Sequence, residues 1–225
     1  MALKNPGGNF FSSSVENVRI DMSGRLRLSI TSRDDRWYCA GVSLPESLGY
    51  GRYIFHLATR PSMLDRNVVG GLFLYQDDRN EIDIELARWG EEVNSNSHFV
   101  IQPSVHAGNI CSFDADFRGR RSTWVIYWSA DRVYFSAYRG YHDDIPGSGK
   151  IISEWSYTGK DIPKAGLERV MINLWLFRGN PPADGRQNEI VVRSFEFKRQ
   201  PVKVLPLSLL RPGTRLMPGG KGLRA

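Results

Sequence analysis

Glu81, Asp83 and Glu85 alternate with Ile82, Ile84 and Leu86 in the stretch RNEIDIELARW. On a strand, successive side chains point to opposite faces, so this spacing puts three acids on one side and three aliphatics on the other. Like charges side by side on a sheet repel, and an ordinary exposed strand mixes other polar residues among them. Two carboxyl groups flanking one bond suit glycoside hydrolysis: one attacks, while the other protonates the leaving oxygen and later deprotonates water. A retaining reaction wants those groups about 5–5.5 Å apart. Residues i and i+4 are about 13 Å apart along a strand, so long side chains must lean together on a curved sheet. Glu at both ends with the shorter Asp between them meets that need. Crowding should also hold a proton on one of the acids near neutral pH. Taken alone, the trio equally fits an acidic solvated face or half of a calcium site.

The elements that would position the trio read as short alternating runs. RLRLSI (25–30), GRYIFHLATR (51–60), GGLFLYQ (70–76), EIDIEL (81–86), STWVIYWS (122–129), RVYFSAYR (132–139), RVMINLWLF (169–177) and EIVVRSFEFK (189–198) are rich in β-branched and aromatic residues. Turn-forming clusters such as MSGR, QDDRN, IPGSG and RGNPPADG separate them. No long segment holds a helical period. The pattern predicts an all-β fold, an antiparallel jelly roll of two packed sheets. The aliphatic face of 81–86 must lie against the second sheet, which fixes the register, because a one-residue slip would bury all three acids. In 169–177, Met171, Asn173, Trp175 and Phe177 share a face, and a Trp and a Phe flanking an Asn suit a groove that stacks hydroxylated rings.

With these residues in view, the chain resembles glycoside hydrolase family 16, the group of lichenases, laminarinases and xyloglucan transferases with a concanavalin A-like jelly roll. The resemblance runs from about residue 37 to 198. It rests on GYGRY (49–53), GLFLYQ, EIDIE in its unbulged form, INLW (172–175) about ninety residues later, and a closing strand RSFEFKR. It implies that Glu81 is the nucleophile, Asp83 the assisting acid and Glu85 the general acid/base. It also implies that Phe73 and Tyr75 line the cleft, with Asn173 and Trp175 facing it from a neighbouring strand. The chain departs from the family pattern at Arg79, where many members carry Trp, at Ser43, where lichenase-like members have Arg, and at Ser122, often His. These departures bear on the sugar, not on the chemistry.

Length and composition agree with this picture. At 225 residues the chain suits one jelly-roll domain, residues 1–200, followed by a basic Pro/Gly-rich tail, 201–225, expected to be flexible. The net charge of +6 does not point to nucleic acid: seven bases and no acid follow residue 197, leaving the rest at about −1. No apolar run approaches the roughly 18 residues of a membrane span. MALKNPGGNFFSSS has no export-signal pattern, although the resemblance implies an extracellular or envelope location.

Cys39 and Cys111 allow at most one disulfide. His56, His98, His106 and His142 show no metal spacing, and His98, on the expected strand after the acidic one, is placed at the surface or in the core, with the cleft as the alternative. Trp89 and Trp128 read as core or rim. No cofactor is required, and a structural calcium ion is left open. The expectation is therefore a monomeric, retaining, endo-acting hydrolase of a β-1,3/1,4-glucan, or secondly of a galactan-type polymer. A transglycosylase with the same site and a non-catalytic carbohydrate-binding module are the alternatives.

Overall fold

In the computed structural model, which describes residues 6–199, the strand Asn80–Ala87 has Ile82, Ile84 and Leu86 at 0–1% exposure. The acids occupy the other face, so the alternation seen in the sequence is the alternation of the fold. Burying each aliphatic side chain is worth about 1.5–3 kcal/mol, and a slipped register would forfeit all three.

The described residues form fourteen strands. In chain order they are β1 (Phe10–Phe11), β2 (Val18–Ile20), β3 (Leu26–Arg33), β4 (Arg36–Ser43), β5 (Gly51–Leu57), β6 (Val68–Asp77) and β7 (Asn80–Ala87). There follow β8 (Ser97–Ile101), β9 (Ile110–Phe113), β10 (Ser122–Trp128), β11 (Val133–Arg139), β12 (Ile151–Tyr157), β13 (Arg169–Leu176) and β14 (Asn188–Arg199). The only helical pieces among these residues are single 3-10 turns at Pro61–Met63, Ser148–Lys150 and Phe177–Gly179. The expected tail, 201–225, lies outside the described residues.

Two antiparallel sheets pack face to face. The front sheet runs β4-β13-β6-β7-β8-β9, and the back sheet runs β12-β11-β10-β5-β14-β3. The β3–β4 hairpin joins them, pairing only Thr31–Arg33 with Arg36–Tyr38. Its turn residues Asp34 and Asp35 both take left-handed φ, 48° and 55°, the conformation that two-residue hairpin loops demand. Aromatic rings stitch the sheets together: Phe99 of β8 stacks on Phe135 of β11 at 5.0 Å, and Phe113 of β9 stacks on Trp124 of β10 at 6.2 Å. This is the jelly roll that the pattern predicts.

Six strands are absent from the runs recognised in the sequence: β1, β2, β4, β8, β9 and β12. β1, β2, β8 and β9 have only two to five residues, and β4 carries Cys-Ala-Gly at its centre. Cys39 lies in β4 and Cys111 in β9, at opposite edges of the six-stranded front sheet, and both thiols are free. Five inter-strand spacings of about 4.8 Å separate them, far beyond disulfide reach.

Candidate active site

The acidic face of β7 forms the middle of the outer surface of the front sheet, and register assigns each residue its neighbours. Glu81 is paired with Tyr75 of β6, Asp83 with Phe73, and Glu85 with Gly71. On the other side, β8 sets Val100 opposite Asp83 and His98 opposite Glu85. Beyond β6, strand β13 sets Met171 opposite Phe73, Asn173 opposite Gly71 and Trp175 opposite Val69. All seven residues expected at the site therefore share one face. β13 reaches this face as the neighbour of β6, which lies between it and β7.

Gly71 closes that gap. A Cβ built there would meet Asn173 Oδ1 at 2.5 Å, so the asparagine side chain lies over the glycine, on the side of Glu85. Asn173 Oδ1 is buried and has no hydrogen-bond partner within the protein.

The trio's electrostatics follow from burial. Asp83 is 3% exposed. Desolvation first, then the charges of Glu81 and Glu85 and a hydrogen bond with Glu81, push its carboxyl well above the usual range. Gln102 Nε2 donates to Asp83 Oδ2 at 3.3 Å and opposes that rise. Glu85 is pushed up to about 8 by burial and by the charge of Glu81. Glu81 rises to about 7, raised by burial and by Asp78 but held down by its hydrogen bond with Asp83. Burial thus favours the protonated form of all three acids, and of the two glutamates Glu81 titrates the lower, at about 7 against about 8. One ionised acid beside two proton-bearing ones can act as nucleophile and proton donor together.

The surrounding groups frame the trio. The turn before β7 is held by Asp77, whose Oδ1 accepts from the backbone N–H of Arg79 at 3.0 Å and of Asn80 at 3.1 Å. Arg79 is exposed in that turn and makes no ion pair among the described residues. Tyr75 is half-buried and donates its hydroxyl to Asp78 at 2.9 Å, and its ring lies edge-on to Phe73. Ser43 stands on the same outer face, opposite Met171. Ser122 does not: it is buried in the back sheet, accepting from Trp124 Nε1 at 2.9 Å.

Two further residues stand beside the cleft: Trp89, expected in the core or at the rim, and His98, expected first at the surface or in the core. Trp89, in the left-handed region at φ 52°, packs against Trp175 at 6.2 Å, Phe177 at 5.4 Å and His98 at 6.1 Å. This aromatic cluster extends the cleft beyond Glu85. Its signal was weak, because Trp89 follows the strand and shows no periodicity, whereas Trp128 is the core residue expected. His98 is buried opposite Glu85. Its Nε2 lies 3.0 Å from the Ala87 carbonyl and its Nδ1 2.8 Å from Ser112 Oγ. A carbonyl only accepts, so Nε2 carries the proton; burial lowers the imidazole pKa and keeps it neutral.

No three histidines gather around a metal among the described residues. The single mixed cluster is on the back sheet, where His56 Nε2 lies 3.4 Å from Asp143 and 3.7 Å from Glu196.

Solved structures of β-glucanases share this two-sheet jelly roll and superimpose on it. The β-1,3-glucanase of Mycobacterium marinum is 16% identical, with 86% of this chain and 83% of that one covered, at a TM-score of 0.65. The β-glucanase of Bacillus licheniformis is 19% identical, with 88% and 89% covered, at 0.61. A Mycobacterium tuberculosis protein described as an immunostimulatory antigen and pseudo β-1,3-glucanase is 19% identical, with 89% and 88% covered, at 0.64. No family model and no curated protein matches the sequence. The likeness is one of fold.

Proposed function

We propose that this protein is a retaining, endo-acting glycoside hydrolase of the family 16 type, cutting β-glycosidic bonds within a β-1,3/1,4-linked glucan. One observation carries the proposal: three acids share the cleft face of one strand, and burial together with the Asp83–Glu81 hydrogen bond leaves Glu81 titrating below Glu85. Glu81 attacks the anomeric carbon while Glu85 passes its proton to the departing oxygen. Glu85, now a carboxylate, takes a proton from water, and that water displaces Glu81 from the sugar. Asp83 keeps its proton throughout and donates to Glu81, steadying it in the attacking position. Phe73, Tyr75 and Trp175 offer ring faces and edges for stacking, and Asn173 offers a hydrogen-bonding amide. Proton and nucleophile both come from side chains, so the reaction needs no cofactor. A monomer working outside the cell fits a polymeric substrate. No helix among the described residues is long and apolar enough to cross a membrane.

A second reading, a carbohydrate-binding module without turnover, is favoured by one observation: a similarly folded protein is described as a pseudo-glucanase. Against it stands the cost of crowding three acids that a binder does not need. A reducing-sugar screen over lichenan, laminarin, xyloglucan, agarose and carrageenan separates the two. Release by the native chain and loss in Glu81→Gln supports the hydrolase; retention in affinity gels without release supports the module. Transfer of the cleaved glycan to an added oligosaccharide would assign the same intermediate to a transglycosylase.

A further inference from the structure

The charge count of the sequence hides an uneven distribution. A groove of about 760 Å³ opens on the outer face of the back sheet, on the opposite side of the sandwich from the acid trio. It is lined by Arg25, Arg27, Arg60, Arg120, Arg121 and Arg193, with Glu189 as its sole acid. Arg25 and Arg27 are answered by Asp21, at 2.9 and 2.8 Å, and Arg27 also by Glu189 at 2.5 Å. The other four have no carboxylate within ion-pair distance among the described residues. Arg121 and Arg193 instead lie over the ring of Tyr141, at 5.7 and 4.7 Å. Arg60 has a buried Nε with no hydrogen-bond partner, although one of its terminal nitrogens reaches the Phe117 carbonyl at 3.4 Å. The nearby acids Asp143 and Glu196 face His56 rather than the arginines.

Four uncompensated guanidinium groups around one concavity repel one another, and a low-dielectric groove lined by one sign of charge concentrates counter-ions. Planar guanidinium groups match the paired oxygens of carboxylate and sulfate groups, which they hold by charge-assisted hydrogen bonds. The volume falls within the range of ligand sites. Between the arginines, Ser23 and Gln187 supply a hydroxyl and an amide for neutral hydroxyl groups. The one aromatic ring in the groove, Tyr141, already packs against Arg121 and Arg193 and lies at 79° to the His56 ring, so a stacking nucleobase would compete with these contacts.

We infer that this arginine-lined groove is a second carbohydrate site, which binds the carboxylate or sulfate groups of an acidic polysaccharide and tethers the protein while the front cleft works on a glycan. The choice of a polysaccharide over another polyanion rests on the proposed function of the front cleft. The anion preference of the groove does not.

The test is calorimetry on the full chain carrying Glu81→Gln, which prevents turnover. Three probes are titrated: sulfated carrageenan oligosaccharides, oligogalacturonate, and single-stranded DNA of matched charge. The comparison protein adds Arg120→Ser, Arg121→Ser and Arg193→Ser, all at exposed positions. The expected result is binding of at least one acidic oligosaccharide, weakened by added salt and by about tenfold or more in the triple variant. Neutral laminarin oligosaccharides should bind both proteins alike, so failure of the front-cleft proposal would show separately. Equal affinity of both proteins for the acidic sugars would overturn the inference and assign their binding to other basic segments. DNA binding as tightly as the sugars, and lost in the same variant, would overturn the polysaccharide as occupant. So would no binding of any acidic oligosaccharide.

Discussion

Asn173 occupies the space that Gly71 leaves empty. The two are paired across β6 and β13, and a methyl group at position 71 would sit 2.5 Å from Asn173 Oδ1 and 3.2 Å from the Phe73 ring. The glycine thus lets a side chain from one strand reach across the next toward Glu85. Gly71→Ala should push Asn173 and Phe73 out of place, destabilising the fold by about 1–3 kcal/mol. Activity should fall by about tenfold or more, because displaced cleft groups no longer position the sugar. Thermal unfolding and kcat/KM on lichenan measured together check this; wild-type kinetics in the variant would remove Asn173 from the cleft.

The two glutamates have separable roles. Glu81→Gln should abolish turnover of every substrate, since no other group in the cleft is first to ionise. Glu85→Gln should stop cleavage of glucan but spare the first step for aryl glycosides whose leaving group needs no proton. Pre-steady-state release of the phenol reads that step directly. A variant pair with identical losses on both substrates would contradict the assignment.

The ordering of protons gives a pH profile. Turnover requires Glu81 ionised and Glu85 protonated, so kcat/KM should rise as pH passes about 7 and fall as it passes about 8. The expected curve is a narrow bell with its maximum between those values. A plateau extending below pH 5 would mean that the nucleophile is not the half-buried Glu81.

Stability should run the other way. The carboxyl of Glu85 ordinarily titrates at 4.5 and in the folded chain at about 8. The folded state therefore holds this proton more tightly than the unfolded state. Its contribution is complete below about pH 4.5 and is lost as pH rises through about 8. Replacing the acid by an uncharged isostere removes the loss, so Glu85→Gln should be the more stable protein at pH 9 by on the order of 1–3 kcal/mol. Urea unfolding of both proteins from pH 5 to 9 tests this; parallel curves would place Glu85 in water rather than in the sheet.

Much of the cleft was legible because strands have a period of two. Once EIDIEL is a strand, its faces follow, and RVMINLWLF presents Asn173 and Trp175 by the same rule. The neighbours of those residues were not legible. That β6 separates β7 from β13, and that a glycine sits where Asn173 needs room, depends on strand order, which no single run encodes. Trp89 could be read only as core or rim because it stands outside any strand, in a left-handed turn that only its aromatic contacts reveal.

The sequence by itself determined the layered β architecture and which face of β7 carries the acids, because burial of Ile82, Ile84 and Leu86 admits a single register. Only the tertiary structure decided how protons are shared among Glu81, Asp83 and Glu85, since desolvation depends on which strands cover them. It alone also gathered arginines from positions 25 to 193 into one groove, where a net charge had shown nothing. Charge counts add along a chain, whereas electrostatic potential adds in space.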